Sequence, residues 1–425
     1  MKLDNFVELL KMPICDSCLG RNIADILSGY TNEERGKAVR MYVAFLLDSG
    51  EKLDVDLANF HGIKFRNIKL QDVKPEKCKV CKKFFREKVN GLAKAVAKKL
   101  RDMEFDTFLV GSIPSNEMLK NEETMNEIFG IEFSEPIKSE INRELGKRIE
   151  KLTRRKFNLR SPDVTILVDL NTDSVKLQVK SLCIHGEYQK LVRGIPQTKW
   201  VCSNCQGKGC IKCKGEGKLY KTSIQEIIEK TLIKAAKSRG SSFHGAGRED
   251  VDAMNFGWRQ FVIEMERPKK RKVDVRKIER MINKSGKVKV RKLRIVKDGN
   301  ELIRKLKTDR HDKTYRLEIE FEKDIDRRLL KNLKSLAGSE ILQKTPTRVV
   351  HRRANKTRKR YVKKISYKIV GKSKLVLTVR TDAGLYVKEL VTGDEGRTQP
   401  NVSELISNKV KSLKLDVIKI HSSKD

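Results

Sequence analysis

The chain has 425 residues, of which 94 are Lys or Arg and 56 are Asp or Glu, giving a formal net charge of +38. Hydrophobic residues at 38% are enough for packed cores, and the 35% charged residues intersperse both signs, which speaks against a disordered chain. The excess charge concerns partners: a polyanion is expected, nucleic acid before an anionic membrane.

No run of about 18 apolar residues is present, so no spanning helix and no membrane partner are expected. The start, "MKLDNFVELLKMPIC", lacks the apolar core and small-residue cleavage site of a signal peptide, which points to the cytoplasm. Residues 1–60 are expected to hold a short helix and then further helices in "NIADILSGYTNEERGKAVRMYVAFLL". Over residues 61–195, "FREKVNGLAKAVAKKLRDM" predicts an amphipathic helix, "DTFLVGS" a strand and "SEINRELGKRIEKLTRRK" a helix. There, "DVTILVDL" and "SVKLQVKSLCI" predict strands around the turn "NTD". Residues 196–220 are rich in Gly and Cys without a core-forming period, as befits a knuckle or linker between domains. Residues 221–425 open on the helix "SIQEIIEKTLIKAAKSR", followed by the loop "HGAGREDVDAM". Strands are then expected at "QFVIEME", "KVKVRKLRIV", "TYRLEIEFE", "YVKKISYKIV" and "KLVLTVRT", with helices between several of them. The fold class is α+β and multidomain.

Eight of the nine cysteines form Cys-x-x-Cys pairs: Cys15/Cys18, Cys78/Cys81, Cys202/Cys205 and Cys210/Cys213. In a chain without a secretory signal this pairing favours metal over disulfides. The first two pairs are expected to close on each other as one tetrahedral thiolate site, with a subdomain filling the interval. The tandem units "CSNCQGKG" and "CIKCKGEG" resemble, over a dozen residues, the zinc region of J-domain chaperones. Neither quartet offers a mixed ligand set with an open position, so both are read as structural Zn2+ sites. The remaining Cys183 lies in an apolar run and is read as core.

The loop "GAGREDVDAM" places Glu249, Asp250 and Asp252 in a surface otherwise built to attract anions. A surface turn and an Mg2+ site are the bland readings. A carboxylate acting on a nucleic-acid base is the third, because a negative group repels a polyanion unless something needs it there. Two further stretches decide between them. "SSFHGAGREDVDA", "DKTYRLEIE" and "LYVKELVTGDEGRTQPNVSELI" resemble, in this order, the three active-site segments of the Pus Ten family of tRNA pseudouridine synthases. The early cysteine pairs resemble that family's zinc module, and "SPDVTILVDL" resembles its THUMP RNA-binding domain. The family often has Arg where this chain has Met254.

The resemblance implies an N-terminal zinc module with a THUMP-like domain and a C-terminal synthase domain with a mixed or antiparallel sheet. It implies conversion of uridine to pseudouridine in the TΨC arm of tRNA, at position 54, 55 or both. Asp250 is then the catalytic nucleophile. Tyr315 and Tyr386 contact the substrate, and Lys388 and Leu415 complete the site. Arg248 and Lys388 are the cations expected beside Asp250. No P-loop or dinucleotide fingerprint is present, so no nucleotide or other organic cofactor is expected. The basic runs "RPKKRKV" and "RVVHRRANKTRKRYVKK" are read as folded edges open to RNA. The alternatives are a non-catalytic zinc-containing RNA-binding protein and another THUMP-bearing tRNA modifier.

Overall fold

The computed structural model describes residues 2–70 and 76–421, apart from the side chain of Arg352. The chain divides into two compact units, Met1–Lys180 and Ser181–Asp425.

The first unit starts with helices α1 (Leu3–Leu9), α2 (Asp16–Arg21) and α3 (Asn32–Asp48). Thr31 and Glu34 cap α3 reciprocally, each side chain bonding the other's backbone N–H, which fixes where the helix begins. Then come α4 (Val89–Leu100), β1 (Thr107–Ile113), α5 (Asn116–Phe129), α6 (Ile137–Thr153), β2 (Lys156–Phe157), β3 (Val164–Asp169) and β4 (Ser174–Val179). The sheet runs β2-β1-β3-β4, parallel except for the last pair. Alternating burial along β1 and β3 turns Phe108, Val110, Val164, Ile166 and Val168 onto the helices. A single core extends from Phe6 to Val168 and includes Cys18, Cys78 and Cys81. The expected division at 60/61 therefore falls inside one packed body, because the two cysteine pairs that straddle it meet in its core.

The second unit contains β5 (Leu182–Lys190), α7 (Ile224–Ala236), β6 (Gly240–Gly245), β7 (Met254–Glu266), α8 (Val275–Asn283), β8 (Val288–Val296), α9 (Gly299–Thr308), β9 (Lys313–Phe321) and β10 (Glu340–Lys344). It continues with β11 (Thr357–Ile369), β12 (Lys374–Thr381), α10 (Val387–Thr392), β13 (Thr398–Gln399), α11 (Val402–Leu405) and β14 (Val410–Ile420). These strands form one sheet in the order β13-β10-β11-β12-β9-β14-β7-β5-β8, with β6 also on β7. Every pair is antiparallel except β14 with β7, where Asp416 faces Met254 and Val417 faces Asn255. Strand β7 is shared: its start pairs with β14 and its end with β6, while β5 runs along its other edge. Two large cores result, one built on β9, β12 and β14, the other on β5, β7, β8 and α7, with a smaller cluster of Cys183, Val262, Ile303 and Leu306 beside them.

Four expectations need correction. "SVKLQVKSLCI" is two strands, β4 in the first sheet and β5 in the second, because only Lys180 and Ser181 separate two apolar stretches and no Gly or Pro marks the junction. The boundary expected at 195/196 consequently lies near 180. The segment 196–220 is an insertion between β5 and α7 within the second unit, not a linker between domains. Residues 240–245 form β6, which takes the first two residues of the expected loop, His244 and Gly245; "GSSFHG" has too few apolar residues to announce a strand.

Candidate active site

The loop between β6 and β7 crosses the place where β7 and β14 run parallel, and it is held there from below. Gly247 turns the chain at φ +78, and a Cβ at that position would stand 3.1 Å from the Arg259 guanidinium, so the tight turn over this cation needs glycine. Arg259, on β7 and 1% exposed, donates Nη1 to Ala246 O at 2.9 Å and places Nε 3.0 Å from the Glu249 carboxylate. Tyr188 on β5 shares its one hydroxyl proton between the Glu249 oxygens, at 3.0 and 3.1 Å, and accepts from Gln197 Nε2 at 2.8 Å. Glu249 is thus a fully paired buried carboxylate, the condition under which burying a charge is tolerable.

Two more cations grip the backbone. Lys190 Nζ donates to Asp250 O at 3.1 Å and Val251 O at 2.8 Å. Burial pushes its ammonium down to about 8, against the opposing pull of the Glu249, Asp252 and Asp250 carboxylates. Arg193 donates to Asp252 O at 2.6 Å and pairs with Asp416 at 2.7 Å, and Asp416 in turn accepts from Met254 N at 2.9 Å. The loop's carbonyls are consequently satisfied from below, which leaves the Asp250 and Asp252 side chains on the open face.

That face borders a pocket of about 190 Å³ lined by Trp200, Arg248, Asp250, Arg348 and Lys388 among others. The Asp250 side chain remains 39% exposed, with Lys388 Nζ at 3.4 Å and Arg348 Nη2 at 3.6 Å. Lys388 bonds Asp252 more closely, at 2.8 and 3.0 Å. Partial burial opposes the Asp252 charge, but this ammonium outweighs it and holds the carboxyl below the usual range. Arg348 is itself anchored by the buried Glu389, whose carboxylate accepts from Nε at 2.6 Å.

Of the residues expected here, Arg248, Asp250 and Lys388 line this pocket, and Tyr386 lies next to its Arg348. Tyr386 caps α10, its backbone bonded in both directions by the Gln343 side chain at 2.7 and 3.0 Å. The guanidinium groups of Arg348 and Arg353 lie 6.0 and 5.9 Å from its ring centroid, and Arg353 donates to its hydroxyl at 2.9 Å. Tyr315, on β9 opposite Val417, is partly core, packed against the β9/β12/β14 cluster. Burial pushes its phenol up to about 12; nearby Arg259 opposes this and Asp250 adds to it. Leu415 is 8% exposed, opposite Leu317, one residue before Asp416. Arg248 is not the second cation on Asp250. It is exposed and lies 6.0 Å from the Trp200 ring centroid, and Arg348 takes the place expected for it. Sequence reasoning also missed Glu249, Arg259, Lys190 and Arg193 as supports. Lys190 and Arg259 alone carried a legible signal, charge inside strands otherwise bound for the core.

Both cysteine quartets are assembled. In each, the four Sγ atoms lie within 4.8 Å of one another. Cys15 and Cys81 approach to 3.6 Å, and in the second quartet Cys202–Cys210, Cys205–Cys213 and Cys210–Cys213 lie 3.9, 3.7 and 3.7 Å apart. Four thiolates about 2.3 Å from a tetrahedral ion stand about 3.8 Å apart, so both sets fit one metal each. The backbone N–H groups of Gly209, Cys210 and Gly217 point at sulfurs from 3.2 Å, the donors expected around thiolate charge. Among the described residues no helix is long and apolar enough to cross a membrane.

Comparison with known proteins places the chain in a family. Residues 183–421 match the Pus10 C-terminal family, and residues 92–169 match the archaeal Pus10 THUMP domain. A tRNA pseudouridine synthase Pus10 of Methanothrix thermoacetophila is 37% identical over 97% of this chain and 93% of its own. The protein of the same name from Methanocaldococcus jannaschii is 39% identical over 100% of this chain and 95% of its own. A chain of a Cbf5-Nop10-Gar1 complex superposes with a TM-score of 0.28 at 12% identity, over 54% of this chain and 47% of that one, too loosely to carry an argument. With both of its units matched and relatives aligned over nearly their full length, the chain belongs to the Pus10 family of pseudouridine synthases.

Proposed function

We propose that this enzyme isomerises uridine to pseudouridine in the TΨC arm of tRNA, at position 54, 55 or both, with Asp250 as the nucleophile. The observation that carries the reading is a solvent-accessible carboxylate between two cations, on a loop whose other carboxylate is locked beneath it. The reaction breaks the bond between C1′ and N1 of uracil, turns the base, and joins C1′ to C5; the C5 proton leaves and N1 gains one. Atoms balance without oxidant, reductant or group donor. The flipped uridine must leave its stack to reach Asp250. In this reading Tyr315 and Tyr386 receive the base, and Lys388 and Arg348 hold the carboxylate while attracting the phosphates beside it. Arg248 and Leu415 complete the substrate surface in this reading.

The tRNA assignment is supported by the THUMP match, by the names of the relatives, and by a net charge of +38. The metal at both quartets is Zn2+ in this proposal, bound by Cys15, Cys18, Cys78 and Cys81 and by Cys202, Cys205, Cys210 and Cys213. It serves as a structural crosslink, because each fourth position is a thiolate and none is open. The test is incubation with unmodified tRNA transcript and mapping of pseudouridine. Modification at 54 or 55 is expected, with binding that weakens steeply as salt rises. Pseudouridine confined to other positions, or none at all beside tight binding, would overturn the assignment.

A further inference from the structure

The insertion between β5 and α7 folds back onto the loop that carries Asp250. Its two feet are tied together, Ile224 N donating to Pro196 O and Gln225 N to Gln197 O, each at 3.0 Å. Above them runs a short antiparallel stem. Leu219 N donates to Trp200 O and Cys202 N to Gly217 O, each at 2.9 Å, and Val201 bridges Lys218. The cysteine quartet closes the far end of this stem. At its base the Trp200 ring meets Tyr220 edge-on at 5.4 Å, and the Arg248 guanidinium lies 6.0 Å from the Trp200 centroid. A second link lies lower: Gln197 Nε2 donates to Gly247 O at 2.9 Å.

We infer that the Cys202/Cys205/Cys210/Cys213 site is a metal-dependent clamp on the Asp250 loop, with Trp200 as the positioning residue that transmits it. The inference rests on the proposed role of Asp250. A stem of so few residues does not hold itself together in water. This one has little apolar packing to help: Ile211 is 98% exposed, Val201 49% and Leu219 47%. Its closed form therefore depends on the crosslink at the cysteines, as in small metal-folded knuckles. When the crosslink is lost, the stem opens, Trp200 loses its fixed place and Arg248 loses the ring beneath it. The anchors from Arg259, Lys190 and Arg193 persist, so the loop loosens on its pocket side without the unit unfolding.

The test uses full-length protein in three forms, Trp200→Ala, Trp200→Phe and the double variant Cys205→Ser/Cys210→Ser. Hydrogen exchange is read over residues 245–253, alongside metal content and steady-state kinetics on tRNA. The double variant should lose one metal equivalent and keep the other. In it and in Trp200→Ala, exchange over 245–253 should rise about tenfold, the size expected for loss of one cation–π contact with its packing. The turnover number should fall while KM changes little, and Trp200→Phe should restore most of the protection. Protection in β9 and β12 should match the parent, which shows that the unit remains folded; if the cysteine variant unfolds, the two Trp200 variants decide. Loop exchange equal to the parent in Trp200→Ala, or no rescue by Trp200→Phe, overturns the clamp. Exchange is independent of Asp250 chemistry. A loosened loop together with an active Asp250→Asn enzyme would sink the functional reading and leave the clamp standing; an unchanged loop beside an inactive Asp250→Asn enzyme would do the reverse.

Discussion

Glu249 and Asp250 are adjacent carboxylates with opposite fates. Glu249 points into the sheet, 7% exposed, against an arginine and a tyrosine that are themselves buried. Asp250 points outward, with its carboxylate 39% exposed and its two cations at ion-pair rather than short hydrogen-bond distance. The difference separates support from chemistry. A group whose oxygens are all occupied fixes geometry, whereas a group held loosely between cations keeps oxygen lone pairs free for a substrate. A basic surface tolerates the acidic loop because its underside is neutralised from within the fold and only its outer face meets the ligand.

This contrast can be broken from below. Arg259→Met leaves the Glu249 charge buried without its cation, and the expected cost in unfolding free energy is about 3–5 kcal/mol. Chemical denaturation of the variant beside the parent measures it. A loss below about 1 kcal/mol, the scale of an exposed ion pair, would mean that the underside is not the support described. The contrast is sharpened from above at Tyr315. Tyr315→Phe keeps a ring for stacking and should retain much of the activity. Tyr315→Ala should lose more, by about 1–3 kcal/mol in kcat/KM, the worth of one base stacked on an aromatic ring. Stability should separate the two variants less than activity does, even though the ring also packs on the core; equal activity in both would return Tyr315 to a purely structural role.

Much of the strand content was legible because burial alternates cleanly. "KLVLTVRT" was expected as a strand from Lys374 to Thr381, and β12 has those limits. Where two apolar stretches met with no Gly or Pro between them the pattern misled, carrying one expected strand across the junction at Lys180. Where apolar residues were sparse, as in β6 and in β10, no strand was read. At the site, Asp250, Tyr386 and Lys388 were reachable because they sit in short motifs with a fixed order. Arg348 was not: it stands in a turn, Thr347–Arg352, within a run of cations that all look alike until one of them meets Glu389 and Asp250. The Glu249–Arg259 pair was hidden for a different reason. Its members lie ten positions apart on a loop and a strand, a spacing that no helical or strand period connects. The cysteine pairs were found by their spacing, but spacing did not reveal that the second quartet belongs to the second unit, on a stem whose base meets the Asp250 loop.

The most direct test of the account compares Asp250→Asn with Asp252→Asn on unmodified tRNA transcript, mapping pseudouridine and measuring binding in the same preparations. Asp250→Asn keeps the size of the side chain and removes the attacking oxygen anion. It should abolish pseudouridine formation while tRNA binding is unchanged or tighter, since a repulsive charge has gone. Asp252→Asn removes a more exposed partner of Lys388 and should leave substantial activity. Activity in Asp250→Asn beside an inactive Asp252→Asn enzyme would contradict the account by naming the other carboxylate, and full activity in both would remove the carboxylate mechanism altogether.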